Sequence, residues 1–166
     1  MTMNFLVLLV SSLVPIFIGF IYYHPKVLGT IWVKESGLTE ENMKGANMPL
    51  VMFLFLLLGL FLASAINSMV IHQNHFYSIL VNEPGFTLAG SEMNTMFTDF
   101  LAKYGKNFRT FKHGLLHGSL SGFFIALPIL GINALFERKS FKYIAIHTGY
   151  WILTMGIMGG IICQFS

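Results

Sequence analysis

Charged side chains are scarce in this chain: Asp, Glu, Lys and Arg make up 10% of its 166 residues, where a soluble domain carries about a quarter. A surface so poor in charge cannot be wetted in the ordinary way, which excludes a soluble globular domain. A single cysteine, Cys163, rules out an internal disulfide framework and any site built from several thiolates. No Lys or Arg precedes the first apolar run, which continues to Tyr22 and Tyr23 without a small-x-small cleavage pattern. The N-terminus therefore reads as a retained span and not as a cleaved signal peptide. Asp and Glu are missing from the middle of every long apolar run, which weakens a proton-coupled transporter. Strand-like alternation of polar and apolar residues is missing as well, against a transmembrane β-barrel. No phosphate-cradling glycine loop, dinucleotide motif, nucleophile elbow or His-Glu-x-x-His occurs, and nothing resembles a nucleic-acid-binding module. The expectation is a protein that is not an enzyme and binds no nucleic acid.

What the chain has in abundance is apolar length: 55% of it is hydrophobic, and the mean hydropathy is +0.69. Four runs, about 4–23, 49–71, 113–136 and 143–163, each reach the ~20 residues needed to cross a ~30 Å hydrocarbon core. The predicted fold is an all-α membrane protein, with residues 1–166 forming one integral membrane domain in contact with the lipid bilayer. His24-Pro25 should end the first span, and Trp32 should anchor the following loop at the interface. Thr39 with the acids behind it predicts a short capped helix reaching about Ala46. In the long connection between spans two and three, Met93, Met96, Phe97, Phe100, Leu101 and Tyr104 recur at helical spacing, opposite Glu92, Asp99 and Lys103. That pattern predicts an amphipathic helix over about 91–104 on the membrane surface or docked on the bundle. Glu137 and Arg138 read as an ion pair in the turn between spans three and four. The basic residues of the two shorter loops (Lys26, Lys34, Lys44; Arg138, Lys139, Lys142) favour those loops as cytoplasmic, with both termini and the long loop periplasmic.

Two constellations stand out. Gly114, Gly118 and Gly122 in span three, and Ala145, Gly149, Gly156 and Gly160 in span four, recur at four-residue spacing. Small residues at that spacing make a groove in which helix backbones approach closely, for hairpin packing or self-association. Histidine is the second: His72 and His75 end span two, and His113 and His117 open span three. Because spans alternate in direction, all four belong at one membrane face. Paired imidazoles on a helix can be presented to one metal ion, and two such pairs would supply four nitrogens. The plainer alternative is hydrated boundary histidines. His24 and His147 fall at the opposite face, as boundary residues or a proton relay.

Gly19-Phe20-Ile21-Tyr22-Tyr23-His24-Pro25, followed by Gly29-Thr30-Ile31-Trp32, resembles the G-x-x-W-Y-x-P…G-x-x-W signature of the DUF1761 membrane proteins. Tyr22-Tyr23 stands where that family usually has Trp-Tyr. Gly37-Leu38-Thr39-Glu40-Glu41, Leu135-Phe136-Glu137-Arg138 and His147-Thr148-Gly149-Tyr150 resemble its further blocks. The resemblance implies a small, uncharacterised integral protein of the bacterial cytoplasmic (inner) membrane, and it carries over no catalytic residue. The expected role is a non-enzymatic accessory, scaffold or small-ligand-binding protein that self-associates as a homo-oligomer or joins a larger membrane complex. The alternatives are a metal- or haem-binding protein using the histidine cluster, or a small homo-oligomeric transporter or channel subunit.

Overall fold

A computed structural model describes residues 4–39, 41 and 44–166. Four helical stretches in it are long and apolar enough to cross a membrane: Phe5–Tyr22, Met48–Val70, Phe111–Phe136 and Phe141–Phe165. Each begins at a polar side chain that accepts from an otherwise unpaired backbone N–H of the first turn. Asn4 caps Val7 N–H at 3.3 Å, Asn47 caps Leu50 at 3.2 Å, Thr110 caps His113 at 3.3 Å and Ser140 caps Tyr143 at 3.1 Å. No strand occurs among the described residues.

The first stretch is two helices, α1 (Phe5–Ser11) and α2 (Val14–Tyr22), broken at Ser12 and Leu13. Pro15 causes the break, since it lacks an N–H and its ring crowds the carbonyl four residues back. The Ser12 hydroxyl donates to the Leu9 carbonyl at 2.7 Å. Here the chain comes so close to the second span that a Cβ at Gly59 would lie 2.6 Å from the Ser12 carbonyl oxygen.

Beyond α2 the predicted loop is in fact helical. Pro25–Gly29 forms a π turn that runs into α3 (Thr30–Ser36). Pro25 ends one helix and also starts the next turn, where its missing N–H is no loss, and the His24 ring caps that turn at Lys26 N–H. α3 stops at Gly37, whose φ of 73° lies in the left-handed region that glycine enters without steric penalty. The helix expected from Thr39 falls partly on positions 40, 42 and 43, outside the described residues, while Leu38, Ala46 and Asn47 are not helical.

The second span is α4 (Met48–Val70), and a short helix the sequence reading did not foresee, α5 (Gln73–Leu80), follows it. The amphipathic segment forms α6 (Glu92–Tyr104), capped by Ser91. It docks on α5 through aromatic rings, with centroids of Phe76 and Phe100 4.3 Å apart and of Phe76 and Phe97 5.5 Å apart. The third span comprises α7 (Phe111–Ser121), a π turn at Gly122–Ala126 and α8 (Leu127–Phe136). The widened turn directly precedes Pro128, where the ordinary ladder would lose a bond. Between α8 and the fourth span, α9 (Phe141–Phe165), Arg138 takes a φ of 56°. The ion pair formed among the described residues is Lys142–Glu35 at 3.9 Å, linking α9 to α3; the expected Glu137–Arg138 pair does not form.

α9 is the most buried of the four spans, and it touches α1, α2, α3, α4, α7 and α8. The core forms around it from Leu8, Val14, Ala63, Ile66, Val70, Met155, Met158 and Ile162. The outer faces stay apolar, with Phe17, Phe20, Phe53, Phe61, Phe124 and Ile132 exposed. In water so large an apolar surface would drive association; it is compatible with an integral membrane protein.

Candidate functional site

The histidines meet where α4 hands over to α5 and α7 begins. His113 and His117 lie one turn apart on α7, with ring centroids 4.4 Å apart. His72 sits between α4 and α5 and reaches across to both, at centroid distances of 5.0 Å to His113 and 4.9 Å to His117. Its Nε2 is 2.9 Å from Nε2 of His113. One ring nitrogen from each of the three falls within 4.8 Å of the others, and among the described residues no carboxylate or thiolate joins them. His72 is exposed and the other two are half-buried. Burial, then the neighbouring His117 and His75, hold His72 below the ordinary histidine pKa of 6.5.

His75 stays outside this group. It is exposed, on the first turn of α5, and its N–H donates to the His72 carbonyl at 3.0 Å. Cys163 is buried close by, but its thiol donates to the carbonyls of Val70 and Phe108.

The trio can hold one metal ion. Tetrahedral zinc with Zn–N bonds of about 2.0–2.1 Å separates its ligand nitrogens by roughly 3.3 Å. The 2.9 Å His72–His113 contact would open by a few tenths of an ångström, with the donating ring carrying its proton on Nδ1 instead, and the wider separations, up to 4.8 Å, would close towards that value. A haem held by two of these histidines fits poorly, because its axial ligands face each other across a planar macrocycle, and here the rings are in direct contact.

The glycine groove of α7 is filled by α9 of the same chain. A Cβ at Gly114 would overlap the Gly159 carbonyl, one at Gly118 would overlap the Met155 carbonyl, and one at Gly122 would lie 2.6 Å from Ile152 Cα. Gly156 faces Ser119, and Gly160 lies under the Phe111 ring. The remaining two small residues lie elsewhere: Gly149 faces the Tyr22 hydroxyl, and Ala145 is exposed. Gly159, which the four-residue spacing passed over, lies against Gly114 and Gly118. Its signal was the run Met158-Gly159-Gly160, which offers α7 a second register.

At the other end of the bundle the residues that carry the family resemblance converge. The Tyr23 ring packs at a tilt against those of Trp32 and Tyr150, with centroids 5.0 and 5.1 Å away. The hydroxyls of Tyr22 and Tyr150 donate to the carbonyls of Ile146 and Pro15, at 3.0 and 2.8 Å. Trp32 Nε1–H donates to His147 Nε2 at 3.3 Å, and Tyr23 Oη lies 3.4 Å from His147 Nδ1. Because an indole N–H can only donate, His147 Nε2 is an unprotonated acceptor and the ring proton sits on Nδ1, towards Tyr23. Burial raises the Tyr23 pKa above its ordinary 10.0, so the phenol stays protonated. His24, capping its own turn, makes no hydrogen bond to His147 among the described residues. The cluster pins the segment after α2 onto α9. Trp32→Phe keeps the ring and leaves the His147 acceptor unpaired, so we expect a loss of about 1–2 kcal/mol, read as a lower thermal midpoint in detergent.

No curated protein and no solved structure matches this chain. The model of a family described as a protein of unknown function (DUF1761) matches residues 6–163. With nearly its whole length covered by that match, the chain belongs to the DUF1761 family.

Proposed function

We propose that this is a non-enzymatic membrane protein that binds one divalent transition-metal ion at His72, His113 and His117. The observation that carries the reading is the mutual approach of the three imidazole nitrogens within 4.8 Å, from two separate segments. Neutral imidazole suits zinc, copper and nickel, whereas magnesium and calcium require oxygen ligands. Three protein ligands leave a tetrahedral ion one open position, so the ion can accept an outside ligand. The excess of lysine and arginine in the shorter loops supports an orientation with those loops cytoplasmic and the histidine face on the opposite side, which in a bacterial inner membrane is the periplasm. An accessory role in a larger membrane complex, or a homo-oligomer, would use the exposed faces of α4 and α8, because α9 already occupies the glycine groove.

The test is titration of metal-stripped full-length protein in detergent with Zn²⁺ and with Co²⁺. We expect one equivalent bound, and Co²⁺ bands of a low-symmetry nitrogen site. Uptake should be flat above about pH 7 and fall steeply below about pH 6, since each ligand must be deprotonated. The sign follows from His72: a pKa below 6.5 keeps it neutral as the pH drops to that value, so proton competition begins lower. Less than a tenth of an equivalent at millimolar metal would end the reading.

A further inference from the structure

Beside the histidine trio lies a cavity of about 380 Å³, walled by Phe76, Phe100, Tyr104 and Phe108, with His72 and Asn107 in its lining. Two residues belong to both places. His72 is a proposed metal ligand and a cavity wall, and Phe108 lines the cavity while its ring packs 5.2 Å from that of His113. The walls come from separate elements held together by ring contacts. Phe76 of α5 meets Phe100 of α6 at 4.3 Å, and Phe100 meets Tyr104 at 5.0 Å. Gln73, also in the lining, ties it to the segment after α6, its side-chain N–H₂ donating to the Asn107 carbonyl at 3.0 Å.

We infer that this cavity binds a small aromatic carboxylate whose oxygen takes the open position on the metal. The inference rests on the metal-binding reading above and names the outside ligand of that site. Three features select the class. The ion with three neutral imidazoles carries two positive charges, and among the described residues no carboxylate joins its ligands, so it favours an anion. Lys103, whose ammonium lies 5.1 Å from the centre of the Tyr104 ring, adds positive charge at the wall. The walls themselves are rings, which prefer offset or edge-on contact with another ring over contact with a short alkyl group. Binding is a ligand exchange: a carboxylate oxygen replaces water on the metal, with no change of oxidation state.

The experiment loads the full-length protein with Co²⁺ in detergent and follows its visible bands during titration with benzoate and, separately, with acetate. Both acids offer the same donor, so the difference between them reports the cavity. We expect benzoate to bind at least tenfold more tightly than acetate. In Phe100→Ala the two should converge to within about threefold, through loss of benzoate affinity. Phe100→Leu, which keeps bulk and loses the ring, should fall between, and it serves if the alanine variant does not fold. Equal binding of the two acids by the unmodified protein, or an undiminished benzoate preference in both variants, overturns the inference while leaving the metal site standing. Failure to take up Co²⁺ at all overturns both.

Discussion

Gly118→Leu is expected to force α7 away from α9 and to lower the stability of the bundle by about 3 kcal/mol or more, the upper range for overpacked contacts. Even the first carbon of a side chain at 118 would overlap the Met155 carbonyl and lie 3.0 Å from Gly156 Cα. Both are backbone, so no rotamer change relieves them. In lipid the penalty is severe because helix association rests on close packing and not on expulsion of water. Gly131→Ala is the control, since its Cβ would meet only Ile144 Cγ2 at 3.9 Å. That change should be neutral or slightly stabilising, by up to about 1 kcal/mol through helix propensity. Thermal or denaturant midpoints in one detergent compare the two; equal midpoints for Gly118→Leu and the unmodified protein would sink the close-packing account.

The second large effect is on metal. His117→Ala should weaken Zn²⁺ binding by at least about 100-fold, because loss of a direct ligand should exceed the 10–100-fold seen when outer-shell partners of a ligand are removed. His75→Ala should change affinity by no more than about threefold, since His75 lies outside the trio. Calorimetric titration of the two variants reads the contrast. Similar losses in both would mean that the ion sits elsewhere, and circular dichroism checks that α7 remains helical in His117→Ala.

The difference between His75 and His117 shows what could be read from the sequence and what could not. His113 and His117 are both inside α7, where four residues make slightly more than one turn and side chains fall on one face. His72 and His75 look equivalent by spacing, but the chain leaves helical geometry between them and α4. Ile71 has φ −102° and ψ 89°, and α5 begins only at Gln73. Helical periodicity does not cross such a break, so the spacing within α4 says nothing of where either side chain points; His72 joins the α7 pair and His75 is exposed outside it. The four spans were legible because twenty apolar residues in a row have few other destinations. Their starts were legible in part, through Pro49 and the polar residues ahead of each run. α5 was hidden because it is only 8 residues long and polar along much of its length, too short for periodicity to declare itself. α3 was hidden by Pro25, which reads as a terminator and here also opens a turn. The aromatic cluster required tertiary information: Tyr23, Trp32 and Tyr150 each read as interface anchors or span residues, and only the fold of the segment after α2 brings them onto α9.

The central place of α9 has a consequence for biogenesis. α9 follows the other three spans in chain order, and a membrane protein is synthesised from its N-terminal side. Three spans therefore enter the bilayer before the helix that holds them together exists. During that interval Gly114 and Gly118 face lipid instead of a partner backbone, and Ala63 and Ile66 lack the neighbours that later bury them. In that order α7 can seat on α9 only once translation has reached the hairpin of α8 and α9, and α7 carries two of the three histidines of the trio.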